Sequence, residues 1–179
     1  MNANHGNMRQ KGLFHRFYPD EWVDSAFDID YEELYKKGYR GIIFDIDNTL
    51  VCHGAPADER AVRLFERLSR IGFRACLLSN NQLPRVKPFA DVVGTAFIED
   101  AHKPSTKNYL TACRRMGTSV SNTIFIGDQL FTDVYGAKKS GIRNILVKPM
   151  NSKEEIQIVF KRKLERIVLF FYKKQQKNG

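Results

Sequence analysis

The chain has 179 residues, 42% of them hydrophobic, which suffices for one globular core and excludes wholesale disorder, a collagen-like repeat and a disulfide scaffold. Its 29 Lys and Arg outnumber its 20 Asp and Glu, a net charge of +9. That excess favours anionic partners: nucleic acid, anionic lipid or phosphorylated substrates.

The first dozen residues are polar and carry no apolar h-region, so no secretory signal is expected. Asp30 and Glu33 have capping-box spacing, and Gly38 is placed to end that short helix. Residues 41–45 form an apolar run that reads as a buried strand. Residues 57–71 show helical periodicity through Ala61, Phe65 and Leu68, and residues 73–78 read as a second apolar strand. Residues 82–90 form a weak helix interrupted by Pro84 and Pro88, followed by a short strand at 95–98. A helix over 104–116 has Gly117 just past its end, and 123–126, 130–140 and 142–147 read as strand, helix and strand. Strands alternating with helices in this way predict an α/β fold: a three-layer, doubly wound parallel sheet. The expected organisation is an N-terminal segment of short helices (1–39), a core (40–150) and a basic C-terminal helix (151–179). The cysteines, Cys52, Cys76 and Cys113, form no CxxC pair, which suits a reducing cytosol better than a disulfide framework or a zinc site.

In such sheets ligands bind beyond the carboxyl ends of the strands. The first strand runs into Asp45-Ile46-Asp47-Asn48-Thr49, and alternation turns Ile46 away from both carboxylates. Two acids ending an apolar strand are costly unless solvated, paired or bound to a cation. The second strand ends in Ser79-Asn80-Asn81, which suits a turn and equally suits oxyanion binding. Lys103 precedes Pro104 at an expected helix start, where the dipole opposes it; an anion between them accounts for it, and a solvated surface lysine is the plain alternative. The next strand delivers Gly127-Asp128, with Asp133 five residues on; an acid early in a helix needs no functional explanation by itself. Together the strand ends bring two acids, a hydroxyl, a lysine and further acids to one edge. Clustered carboxylates repel without a cation, an all-oxygen donor set suits Mg²⁺, and Ser79 and Lys103 would face an anion held against it. Such a site fits phosphoryl transfer.

The order Asp-x-Asp-x-Thr, Ser, Lys-Pro and Gly-Asp-x4-Asp, spread over roughly residues 40–150, resembles the haloacid dehalogenase (HAD) superfamily of phosphohydrolases. The strings Phe-Asp-Ile-Asp-Asn-Thr-Leu-Val, Leu-Ser-Asn-Asn and Gly-Asp-Gln-Leu-Phe-Thr-Asp-Val are similar to a narrower group, the IIIA-type phosphatases related to phosphatidylglycerophosphate phosphatases. Phe17-Tyr18-Pro19-Asp20 resembles that group's N-terminal signature. The resemblance implies that Asp45 is the nucleophile and forms an aspartyl-phosphate. It makes Asp47 the general acid and then base, with its backbone carbonyl on Mg²⁺. Thr49 would brace the loop, and Ser79 and the Asn80 backbone would bind the phosphoryl group. Lys103 would neutralise that group and restrain Asp45. Asp128 would be the main additional Mg²⁺ ligand, and Asp133 a supporting or water-mediated one. Cys52 and His53 have no place in the family pattern; an ordinary loop histidine is the plainer reading of His53, and reach to a leaving group from near the nucleophile is the alternative.

Members that take small metabolites commonly carry a cap domain over the site. Here 29 residues separate Thr49 from Ser79 and 23 separate Ser79 from Lys103, leaving no room for one. An open site suits a bulky substrate whose phosphate projects from a surface, such as a lipid headgroup, a protein side chain or a nucleic-acid end. Residues 151–179 hold eight Lys or Arg against three Glu, more than half of the net charge. Ser152 and Glu155 have capping-box spacing, and Ile156, Phe160, Leu164, Ile167 and Phe171 fall on one helical stripe. Core packing is the plainer reading of the stripe; an anionic membrane surface, or a second copy of the chain, is the alternative. The run 167–172 is too short to span a bilayer. The expectation is therefore a cytoplasmic Mg²⁺-dependent phosphatase of a phospholipid headgroup, peripheral to the membrane. Its rivals are a nucleotidase, a phosphoprotein or polynucleotide-end phosphatase, and a non-catalytic binding protein. Nothing in the sequence supports sequence-specific nucleic-acid reading.

Overall fold

The computed structural model describes residues 14–150 and 156–177, with the side chains of the last helix described over 164–174. Six strands form one all-parallel sheet: β1 (Glu21–Val23), β2 (Gly41–Phe44), β3 (Arg74–Leu78), β4 (Ala96–Ile98), β5 (Thr123–Gly127) and β6 (Arg143–Val147). Their spatial order is β1-β6-β5-β2-β3-β4. The helices are α1 (Tyr31–Lys36), α2 (Glu59–Ile71), α3 (Leu83–Val93), α4 (Thr106–Met116), α5 (Tyr135–Lys139) and α6 (Ile156–Lys177).

Both faces of the sheet are covered, which is why its central strands read as unbroken apolar runs. Ile42, Phe44, Leu77, Ile124 and Ile126 pack with Leu64, Phe65 and Leu68 of α2 and Val86 and Phe89 of α3. Ile43, Cys76, Leu78 and Phe125 pack on the other face with Tyr109, Ala112 and Met116 of α4 and Ala137 of α5. The register sets Phe44 level with both Leu77 and Ile126, so β2, β3 and β5 end side by side.

Local signals start and stop the helices. The Asp30 side chain accepts from the Glu33 N–H at 2.9 Å at the head of α1, and Asp58 accepts from the Ala61 N–H at 2.8 Å at the head of α2. Gly72, at φ 107°, ends α2 in the left-handed conformation that glycine adopts at least cost. The weak helix predicted for 82–90 runs on to Val93 through Pro88. Burial of Val86, Phe89, Ala90 and Val93 offsets the hydrogen bond that a mid-helix proline removes. Helix α4 starts at Thr106, so Lys103 lies in the preceding turn rather than at a helix N-terminus; the dipole reading of that residue is withdrawn.

The N-terminal segment holds the expected short helical pieces and, unexpectedly, the edge strand β1, paired with β6 from Glu21 opposite Ile145 to Val23 opposite Val147. The Asp20 carboxylate accepts from the Asn144 N–H at 3.0 Å and from its side-chain amide at 2.8 Å. Phe17 and Tyr18 pack on Phe131 and Tyr172. The signature at 17–20 thus ties the segment that leads into β1 to β6 and α6.

The stripe on α6 faces the other way from the core-packing expectation. Leu164, Ile167 and Phe171 are exposed, as is Phe170, while Val168 and Glu165 are buried. Val168 joins a cluster with Leu130, Val134 and Leu146. The Glu165 carboxylate accepts from the Leu130 N–H at 2.8 Å. Helical spacing identified a face but not its neighbour, and here the interior contact is made by a carboxylate that meets a buried amide. Ile156 and Phe160 carry no described side chains, and the capping box at Ser152 and Glu155 lies outside the described residues.

Glu165→Ala should strand the buried Leu130 N–H and destabilise the fold by about 1–3 kcal/mol, while Glu165→Gln, which keeps an acceptor, should retain most of the stability. Thermal or urea unfolding of both variants checks this.

Candidate active site

Asp45 follows β2 directly, and its N–H donates to the Ile126 carbonyl of β5 at 2.9 Å. The chain then reverses. Asn48 adopts φ 64°, a left-handed conformation that asparagine tolerates, and its N–H donates to Val51 O at 2.7 Å. Ile46, Leu50 and Val51 are buried in the core, which leaves the polar residues of the turn for the site. Thr49 Oγ1 lies 3.5 Å from both Asp45 Oδ2 and Asp128 Oδ1, a weak brace between two strand ends.

The ends of β3 and β4 are zipped together. Ala101 N–H donates to Ser79 O and Asp100 N–H to Asn81 O, each at 2.9 Å. The Asn80 side chain accepts from the Lys103 N–H at 2.7 Å and donates to Lys103 O at 3.3 Å. Asn80 therefore holds the backbone from which the Lys103 side chain projects, a task the sequence reading did not give its side chain. Ser79 is buried, with its hydroxyl accepting from the Asn81 N–H at 3.1 Å.

Lys103 Nζ, on a side chain 4% exposed, donates to Asp45 Oδ1 at 2.6 Å and to Asp133 Oδ1 at 2.7 Å. The other Asp133 oxygen accepts from the Gln129 N–H at 3.0 Å. Asp133 sits in a π-helical turn, Leu130–Val134, that runs into α5. Its carboxylate packs flat on Gly127, where any Cβ would stand 2.5 Å from Asp133 Oδ2. That close approach is what requires glycine.

Asp45, Asp128 and Asp133 present carboxylate oxygens that all lie within 4.8 Å of one another, and all three residues are buried. Three carboxylates against one ammonium leave a local excess of negative charge. An all-oxygen, charge-deficient cluster of this size fits one hard divalent cation. The Asp47 carboxylate does not join it. It accepts from Gly54 N–H at 2.7 Å, from Asn81 Nδ2 at 2.8 Å and from Arg85 Nη2 at 2.9 Å, with His53 Nδ1 3.9 Å away. Of the contacts foreseen for Asp47 at a metal, its backbone carbonyl is the one this arrangement leaves open. Arg85 and Gly54 were missed in the sequence, and Asn81 was read only as part of the Ser79-Asn80-Asn81 turn. Arg85 lies in the first turn of α3, so the carboxyl-edge rule reaches it once that turn is included.

Burial raises the Asp45 carboxyl to about 6; the Lys103 ammonium pulls it down and the Asp133 charge pushes it up further. Burial alone would depress Lys103, but the Asp133 and Asp45 charges outweigh it and hold the ammonium above its ordinary range. Residues 50–78 are filled by a loop, α2 and β3, and residues 80–102 by α3 and β4, so no folded cap stands between the motifs.

The family model of haloacid dehalogenase-like hydrolases matches residues 56–141. The chain is 39% identical over 160 residues to the probable phosphatase YqeG of Bacillus subtilis (strain 168), covering 89% of this chain and 93% of that one. It is 26% identical over 161 residues to phosphatidylglycerophosphate phosphatase 1, chloroplastic/mitochondrial, of Arabidopsis thaliana, covering 84% of this chain and 46% of that protein. A solved structure of a hypothetical protein from Xanthomonas campestris superposes with a TM-score of 0.52 at 16% identity, covering 69% of this chain and 72% of that one. An uncharacterized protein from Listeria monocytogenes serotype 4b gives 0.51 at 14% identity, covering 65% and 86%. These two likenesses concern the fold. The chain belongs to the haloacid dehalogenase-like hydrolases. Within that family it is a phosphatase.

A cation held by this cluster would need Asp45 ionised, so a proton would compete with it below about pH 6. Mg²⁺ should bind more weakly at pH 5 than at pH 7, with proton release on binding, as calorimetry in buffers of different ionisation enthalpy would measure. Without cation the stability contribution of this carboxyl runs the opposite way. The unfolded group ionises near about 4 and the folded one near about 6, so the contribution falls as pH rises through that window. Added Mg²⁺ should restore it.

Proposed function

We propose that the chain is a Mg²⁺-dependent phosphomonoesterase that carries the phosphoryl group on Asp45 and acts on phosphatidylglycerophosphate. The observation that supports the reaction is the restraint of Asp45: Lys103 fixes Oδ1 at 2.6 Å, while among the described residues Oδ2 meets only the Thr49 hydroxyl at 3.5 Å. Oδ2 is the oxygen left for attack. It bonds to phosphorus as the bond to the leaving oxygen breaks, and Asp47 gives that oxygen its proton. Asp47 then takes a proton from water, whose oxygen attacks phosphorus, breaks the bond to Asp45 and releases inorganic phosphate. Lys103 and the Ser79 hydroxyl offer the positive charge and hydrogen bond that the transferring group needs. Asp45, Asp128 and the Asp47 carbonyl are the groups that would hold Mg²⁺, and Asp133 would support it from beside Lys103 or through water. When bound, the ion neutralises phosphoryl oxygens and orients them toward Asp45.

Two features support the lipid substrate. Relatives at 26% identity are named as phosphatidylglycerophosphate phosphatases, in Arabidopsis thaliana and Chlamydomonas reinhardtii. The outward face of α6 also carries Leu164, Ile167, Phe170 and Phe171, with Phe170 64% exposed. Arg166, Lys173 and Lys174 are exposed around them. Apolar groups rimmed by cations suit the headgroup layer of an anionic membrane. No helix among the described residues is long and apolar enough to cross one.

Asp45→Asn should abolish turnover of phenyl phosphate while the protein stays folded, as circular dichroism would check; near-native turnover would remove Asp45 as nucleophile. Asp47→Asn should lose about 10²–10⁴-fold on an alkyl ester. On phenyl phosphate, whose leaving group needs little help, the same variant should accumulate a covalent, hydroxylamine-labile phosphoenzyme visible as a mass shift.

The double change Ile167→Glu, Phe170→Glu should abolish co-sedimentation with phosphatidylglycerol vesicles. Equal binding of the native protein to neutral and anionic vesicles, or a native dimer that this change dissociates, would count against the lipid surface.

A further inference from the structure

Asp47 is gripped from the rim of the site by a cation that the reaction scheme does not use. Arg85, in the first turn of α3, donates from Nη2 to Asp47 Oδ1 at 2.9 Å, and its side chain is 22% exposed. Among the described residues Asp47 is its one ion-pair partner. Its Nε is buried and has no hydrogen-bond partner among the described residues. The Phe89 ring, 5.7 Å from Cζ, packs beside the guanidinium. A guanidinium offers a fork of donors matched to carboxylates and phosphates. Here one arm of that fork is occupied, and a buried donor without a partner is a cost that natural structures seldom leave without a use.

Position gives the fork a meaning. Asp47 is the group that serves the leaving oxygen, so Arg85 stands one carboxylate beyond it, on the leaving-group side and away from the Asp45–Asp128–Asp133 cluster. The same carboxylate is held by Gly54 N–H and by Asn81 Nδ2. Among these three donors Arg85 alone is a cation, and an arriving anion can draw it off.

We propose that Arg85 is a second anion-binding subsite, which receives a negatively charged group carried by the leaving group a short linker away from the scissile phosphoryl. Binding that second anion turns the guanidinium from Asp47 Oδ1 and frees this oxygen to face the leaving oxygen. The subsite therefore selects doubly anionic substrates and couples their binding to the placement of Asp47. The inference rests on the reading of Asp47 as the group that serves the leaving oxygen. It deepens that reading by stating what the leaving group carries: a phosphodiester or phosphate rather than a neutral alcohol.

A matched soluble pair tests this without any membrane. Glycerol 3-phosphate and glycerol 1,3-bisphosphate differ by one anion, three carbons away. Their binding to the full-length Asp45→Asn protein with Mg²⁺ is measured by calorimetry. The bisphosphate should bind about tenfold to a hundredfold tighter, the range of a charge-assisted hydrogen bond. Adding Arg85→Met should cut the preference to about twofold, the statistical factor for two equivalent phosphates, and Arg85→Lys, which keeps the charge without the fork, should restore part of it. A preference that survives Arg85→Met overturns the subsite. So does a starting preference of twofold or less, equal weakening of both ligands, or no binding of either. Should the Met variant unfold, Arg85→Gln and Arg85→Lys give the same comparison. Hydrolysis of phenyl phosphate by the native enzyme is scored separately: its absence would overturn the phosphatase chemistry and leave the binding preference standing.

Discussion

The site is organised around one buried ammonium. Lys103 Nζ stands between Asp45 and Asp133 at 2.6 and 2.7 Å, and a charge so far from water is tolerable only where its partners are fixed. Much of the surrounding structure serves that fixing. The level ends of β2, β3 and β5 set the three loops side by side. The Asn80 amide grips both backbone groups of Lys103. Gly127 lacks the side chain that would push Asp133 away. Each element is ordinary in isolation, and each is constrained here by where one nitrogen has to be.

That nitrogen also creates the chemistry. It holds one oxygen of Asp45 and leaves the other, on the proposed scheme, as the one that attacks phosphorus. It balances only part of the charge of Asp45, Asp128 and Asp133, so burial and the neighbouring carboxylate raise Asp45 to about 6 in the absence of a cation. A self-sufficient structural salt bridge would have matched charges. This cluster is short of positive charge, and that deficit is one a divalent cation could offset.

Much of this was legible in the sequence because the central strands are buried on both faces. Unbroken apolar runs located β2, β3 and β5, and the polar residues that interrupt those runs are the site itself. Where tertiary contact overrides local pattern, the sequence was silent. Strand β1 is three half-buried residues whose pairing is set by β6 and by Asp20 on Asn144, both distant in sequence. Pro88 reads as a helix breaker, yet α3 continues because its apolar residues have a core to enter. Lys103-Pro104 reads as a helix start, yet the helix begins two residues later than Pro104, at Thr106. Two neighbouring acids, Asp45 and Asp47, look equivalent in the string and end in opposite environments. One lies against Lys103 and the carboxylates, the other against Arg85 and two amide donors on the rim, and only the fold separates them.

The C-terminal helix shows the same logic from the other direction. Its apolar stripe faces outward, and its inner face is anchored by Val168 and a carboxylate, Glu165. An inward carboxylate would be expensive against an apolar core. It is tolerated because it meets the Leu130 N–H, which the start of the π-helical turn leaves without a partner of its own. Leu130 lies between Asp128 and Asp133 in the chain. The helix is therefore fastened to the segment that carries two of the three clustered carboxylates, while its opposite side keeps an apolar surface rimmed by cations. One helix thus packs its inner face on the loop that carries Asp128 and Asp133 and leaves an apolar, cation-rimmed face exposed, with no separate cap domain between the two.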